Sequence, residues 1–222
     1  DVGKLNFIKI KELPQFSLYQ NILIIPKAKL VKLYIDNIDI DEKEDKDELY
    51  KYIIKNVSLY KLIKNIRELH DLYLKAFEFC FKEDVSNKIT ENNFEQIRQL
   101  IMDMNCLKEE EFNPNPEIQK WIEKSKKFKS ERIEFEDIVS SVAVYTGYTY
   151  EQINELTLYQ FYTTFQRIGA FKSYDTNTLF ATVSTEKINI ESWCKHIDLF
   201  ENEEKEGLTR DAYNKLKSGI FG

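Results

Sequence analysis

The sequence predicts a mainly α, helical bundle-like domain with a small N-terminal β segment, which leaves an α+β arrangement open. Three observations carry this expectation. Residues 58–82 are amphipathic at helical spacing, helix-start signals recur from residue 93 onward, and short β-branched runs are confined to residues 4–40. The predicted organisation is therefore a strand-containing segment over 1–40 and a helical domain over 45–222.

In the N-terminal segment, the runs 4–10 and 21–25 are short and β-branched, and Pro14 and Pro26 punctuate them. Residues 29–35 also read as extended, with a helix as the alternative. Two or three short strands are expected here. The acidic stretch from Asp36 to Glu48 reads as a linker. Its Asp39-Ile40-Asp41 resembles part of a calcium loop, but the sixth position counted from Asp39 is Glu44 where the sharp turn needs Gly. No calcium site is expected.

From Ser58 to Lys82 one long central helix is expected. Lys61, Lys64, Asn65, Glu68, Asp71, Lys75, Glu78 and Lys82 define its polar stripe, and Leu62, Ile63, Ile66, Leu69, Tyr73, Ala76, Phe77 and Cys80 cover most of the rest. A helix apolar over so much of its circumference packs on several sides. The pairs Lys64/Glu68, Asp71/Lys75 and Glu78/Lys82 fall at i,i+4, each contributing about 0.2–0.5 kcal/mol.

The later helices announce their starts. Asn93 with Gln96 resembles a capping box. Asn115 before Pro116 reads as an N-cap followed by Pro at the first helical position, opening a helix toward Ser130. A helix over 136–145 is closed by Gly147. Thr149/Gln152 and Thr157/Gln160 are capping boxes eight residues apart, so a two-turn helix should lead directly into a longer one. Residues 180–208 give no clear pattern, and Thr209 to Ser218 reads as a final helix.

Composition narrows the function classes. The chain has 222 residues, 42% of them hydrophobic, 32% charged and 14% aromatic, a balance that supports a folded core. Net charge is −6, so a nucleic-acid partner, which needs a basic face, is not expected. The basic run Lys124–Lys129 is flanked by Glu123 and Glu131 and reads as a solvated helix face. No run approaches the roughly 18 apolar residues of a membrane span. Three widely spaced cysteines (Cys80, Cys106, Cys194) suit a reducing compartment rather than a disulfide framework. Lys outnumbers Arg 27 to 5, and Asn, Ile, Tyr and Phe are abundant, a bias toward A/T-rich codons.

Catalytic, cofactor and metal sites are expected to be absent. His70 lies at the edge of the apolar side of the central helix and reads as a packing residue. Cys194 and His196 lie close together, but a zinc site needs three or four ligands at suitable spacing. Nothing around Cys194 marks a nucleophile turn. No phosphate-cradling or serine-elbow motif is present.

One segment resembles a known group. Residues 135–172, beginning Phe135-Glu136-Asp137-Ile138-Val139 and running through Tyr145-Thr146-Gly147-Tyr148-Thr149-Tyr150-Glu151-Gln152-Ile153 to Leu156-Thr157-Leu158-Tyr159-Gln160-Phe161, carry a helix, a Thr-Gly turn, a short helix and an aromatic-rich helix. This pattern is similar to tailed-bacteriophage tail-assembly chaperones and tail or baseplate structural proteins. The resemblance implies a non-enzymatic phage protein that contacts other proteins, phage tail components foremost, in the host cytoplasm or the virion. A homo-oligomer is compatible with it. The alternatives are a phage regulatory or anti-defence protein that binds a host factor, and a small enzyme with an unflagged site.

From the residues themselves, Leu158, Phe161, Tyr162, Phe165 and Ile168 form a core-facing stripe. Tyr159 falls off it, and Tyr145, Tyr148 and Tyr150 crowd the turn. These four tyrosines are the candidate protein-interaction residues, with ordinary surface packing as the plainer reading.

Overall fold

The structure is a computed structural model and describes residues 2–38, 43–129 and 133–200. Among these it is mainly α-helical, with no β-sheet. The helices are α1 (Leu13–Leu23), α2 (Lys27–Asp36), α3 (Lys43–Asn56), α4 (Leu59–Lys64), α5 (Arg67–Phe81), α6 (Glu91–Met104), α7 (Pro116–Lys129), α8 (Phe135–Thr146), α9 (Tyr150–Glu155) and α10 (Leu158–Val183).

The predicted strands at 21–25 and 29–35 are corrected: these residues lie in or beside α1 and α2, so the 1–40 segment is largely helical. Short apolar runs do not distinguish strand from buried helix by periodicity alone, and burial decides here. Phe16 and Leu23 of α1 are fully buried beside α5, and Leu30, Val31 and Ile35 of α2 are buried at helical spacing. Pro14 lies in the first turn of α1, where a missing N–H costs nothing, and Pro26 is the N-cap of α2. Residues 4–9 form no sheet either; Lys9 makes a single antiparallel bridge to Thr157.

The central helix is divided. Asn65 caps α4, and Ile66 is extended (φ −116°, ψ 92°) before α5 begins. The buried face follows the predicted pattern, with Leu62, Ile63, Tyr73, Ala76, Phe77 and Cys80 all inside. Phe94 of α6 packs on this face, its ring 5.2 Å from Tyr73 and 5.4 Å from Phe77. The start of α6 is also corrected. Thr90 is the N-cap, and Asn93 is the residue three positions in, whose side chain accepts from the Thr90 N–H. The acidic linker is shorter than expected, since α3 begins at Lys43. Asp39 to Asp41 and the predicted helix at 209–218 lie outside the described residues.

The remaining starts follow the local signals. Asn115 Oδ1 accepts from Glu117 N at the head of α7. Gly147 ends α8 in the left-handed conformation (φ 72°), its N–H bonding Ala143 O.

Candidate functional site

The candidate region is built from α8, α9 and α10, which a run of local caps sets in place. Thr146 Oγ1 donates to Val142 O and accepts from Tyr148 N, which bends the chain out of α8. Thr149 and Gln152 exchange backbone and side-chain bonds at the head of α9, and Thr157 and Gln160 do the same for α10. Each such box satisfies two otherwise orphaned N–H groups. Beneath the caps, Val142, Ile153 and Phe161 are fully buried, and Phe161 packs 5.4 Å from Phe135.

The N-terminal segment ties this region to the rest of the molecule. Ile10 N donates to Leu156 O at 2.9 Å, and Leu158 N donates to Ile8 O at 2.8 Å. On its other side the segment bonds Cys80 O through Asn6 N and Asn105 Oδ1 through Ile8 N. Lys9 and Lys11 both reach Glu155, at 2.8 and 2.5 Å. Hydrogen bonds from Lys11 and Lys9 hold the Glu155 carboxyl down to about 2.

All four candidate tyrosines are exposed: Tyr145 by 53%, Tyr148 by 43%, Tyr150 by 59% and Tyr159 by 42%. Tyr148 and Tyr150 flank the same turn, Tyr159 lies in the first turn of α10, and Tyr145 ends α8. The four make no ring contacts with one another among the described residues. Tyr145 instead faces α10, where Lys172 Nζ lies 4.7 Å from its ring centre, an attractive cation–π distance. Together with Ile168, Phe171 and Asp175 they border a groove of about 560 Å3.

No motif marked a second feature. Arg98 of α6 is 2% exposed, and its guanidinium donates to Glu95, Glu109 and Ile25 O at 2.7, 2.7 and 3.1 Å. Burial pulls the Arg98 pKa down, yet Tyr73 and the two carboxylates outweigh it and the net shift is upward. This cluster joins α6 to the end of α1 and to the chain after α6, so its chemistry is structural.

The other candidate reactive groups are separate. Burial pushes the Cys80 thiol up to about 12 and the Cys106 thiol up to about 11, so neither forms a thiolate readily near neutral pH. Cys194 lies exposed beside Ser192. His70 is partly buried, edge-on to Tyr60. No three His, Cys, Asp or Glu side chains among the described residues converge for a metal. No helix among them is long and apolar enough to cross a membrane.

Family models match both parts of the chain: the YomV N-terminal domain over residues 1–114 and the YomV second domain over residues 123–198. The chain belongs to the YomV family. It is 34% identical to the SPbeta prophage-derived uncharacterized protein YomV of Bacillus subtilis (strain 168) over 220 residues, 96% of this chain and 90% of that protein. No solved structure matches. Membership makes this a phage-associated protein, in agreement with the phage part of the resemblance over 135–172; neither match carries a tail assignment. In the family's division, the N-terminal tether, Lys9 and Lys11 belong to the first domain, and Glu155, Leu156 and Leu158, which they hold, belong to the second.

Proposed function

We propose that this YomV-family protein is non-enzymatic and works by protein–protein contact, in tail assembly or as a tail or baseplate component of the virion. The observation that carries this reading is the presentation of four exposed tyrosines on a cap-fixed α8–α9–α10 unit. Tyrosine supplies a large amphipathic contact area and is enriched among the energetic centres of interfaces. Val144, 81% exposed beside Tyr145, extends the apolar surface. The tail setting comes from the resemblance of residues 135–172.

The test is quantitative copurification of the tagged full chain from phage-producing cells, with purified virions assayed for the protein. Phage tail proteins recovered with the wild type, and reduced with Tyr148→Ala and Tyr159→Ala, support the proposal. Recovery of a host factor in place of tail proteins would overturn the tail setting. Equal recovery by wild type and variants would remove the tyrosines from the interface.

A further inference from the structure

The second half of α10 leaves the core. Leu158 and Phe161 near its start are buried, whereas Phe171, Leu179 and Val183 are 42%, 69% and 76% exposed. At 1.5 Å per residue the 26-residue helix is about 39 Å long. Trp193 stacks on Phe171 at 4.3 Å and Arg167 donates to Trp193 O and Lys195 O, which covers one side of the helix; beyond Phe171, Leu179 and Val183 lie exposed among the described residues.

That exposed stretch has a pattern. Ile168, Lys172, Asp175, Leu179 and Val183 succeed one another at three- and four-residue steps, which places them on one face, with Phe171 at its edge. The N-terminal part of this face is concave, being the groove beside Tyr145 with Thr164 and Ile168 in its lining. The C-terminal part is a ridge of Leu179 and Val183. Lys172 and Asp175 line the end of the groove that adjoins the ridge.

We propose that a second copy of this chain covers the face, the two α10 helices pairing antiparallel about a twofold axis that passes between Lys172 and Asp175. The register follows from helical spacing. With Lys172 opposite the second copy's Asp175, one step of four residues along each helix sets Ile168 opposite the second copy's Leu179. A further step sets Thr164 opposite its Val183. Each ridge thus enters the other copy's groove, and each lysine meets an aspartate, twice over by symmetry. A contact of this kind is self-complementary and closes as a dimer. Charge complementarity argues for a second copy over an unrelated partner, because the same face supplies both members of every pair. Tyr159 lies on the opposite side of α10, so a contact through it stands independently of this interface, whereas Tyr145 borders the groove and belongs to the paired face.

Light scattering after size exclusion, on the full chain, tests the pairing, with circular dichroism to show that each variant keeps its helix content. The wild type should have the mass of a dimer. Leu179→Asp, which places a carboxylate on the ridge, and Lys172→Asp, which sets aspartate against aspartate, should each halve the mass. The double exchange Lys172→Asp/Asp175→Lys restores opposite charges across the axis and should restore the dimer. Because Leu179 and Lys172 are exposed, these changes spare the core, and the double exchange separates a lost contact from a lost fold. A monomeric wild type, a dimer indifferent to the single variants, or a double exchange that stays monomeric would overturn the proposal.

Discussion

Replacing Phe161 by Ala tests the core that carries the tyrosine-bearing unit. The Phe161 side chain is fully buried, with rings of Phe135 and Tyr162 at 5.4 and 5.5 Å. Burying a phenylalanine contributes about 1.5–3 kcal/mol from removal of apolar area. The cavity left by truncation adds to that loss, giving about 3–5 kcal/mol for Phe→Ala. The upper part of this range applies because the ring is held between helices whose ends are fixed by caps and cannot readily collapse. In a domain of this size each kcal/mol lowers the melting temperature by about 2–4 °C, so a loss of about 4–5 kcal/mol should lower it by roughly 8–20 °C. Urea unfolding should show the same loss as a lower midpoint with an unchanged slope. Tyr159→Ala, two residues earlier but 42% exposed, should cost less than about 1 kcal/mol. A Phe161→Ala loss below about 1 kcal/mol, or an equal loss at Tyr159, would refute the assignment of faces on α10.

Three further outcomes follow from the same geometry. In the first domain, Phe77→Ala and Leu62→Ala should each cost about 2–5 kcal/mol, while Lys64→Ala and Asp71→Ala should stay within about 0.5 kcal/mol; equal costs in denaturant titrations would contradict the buried face. Arg98→Ala should cost about 2–3 kcal/mol, below the 3–5 typical of pairs buried on both sides, because Glu95 and Glu109 keep access to water. The Glu155 carboxyl is depressed to about 2 from its ordinary 4.5, so its contact with Lys9 and Lys11 is fully stabilising above pH 4.5 and is lost as pH falls toward 2. Glu155→Gln should flatten that part of the stability–pH profile, and a profile unchanged by the substitution would exclude the contact.

The parts of the fold that were legible in the sequence are those set by local chemistry. Thr149/Gln152, Thr157/Gln160, Asn115-Pro116 and Gly147 each satisfy or redirect backbone groups within a few residues, and the structure has a helix end at every one. The polar stripe from Lys61 to Lys82 marked the exposed side correctly through the break at Ile66, because α4 and α5 present the same residue types to water. The runs at 21–25 and 29–35 misled because β-branched residues favour strands only when a partner strand exists, and here α1 packs on α5 and α2 on α3 instead. Arg98 was not legible: its partners Glu109 and Ile25 lie 11 and 73 residues away, and nothing local distinguishes it from a surface arginine. The tether from Asn6 to Ile10 was hidden for the same reason. The tyrosines were legible as exposed positions, since Tyr159 falls off the apolar stripe and the other three crowd a turn, but exposure does not specify a partner.

The central claim is that exposed tyrosines on α8–α10 bind another protein without supporting the fold. Titration of the copurified partner against wild type, Tyr148→Ala and Tyr159→Ala, each melted in parallel, tests it most directly. The account predicts unchanged melting and binding weaker by about 1–3 kcal/mol, roughly 5- to 150-fold in Kd. Wild-type affinity in both variants, or unfolding of either one, would contradict it.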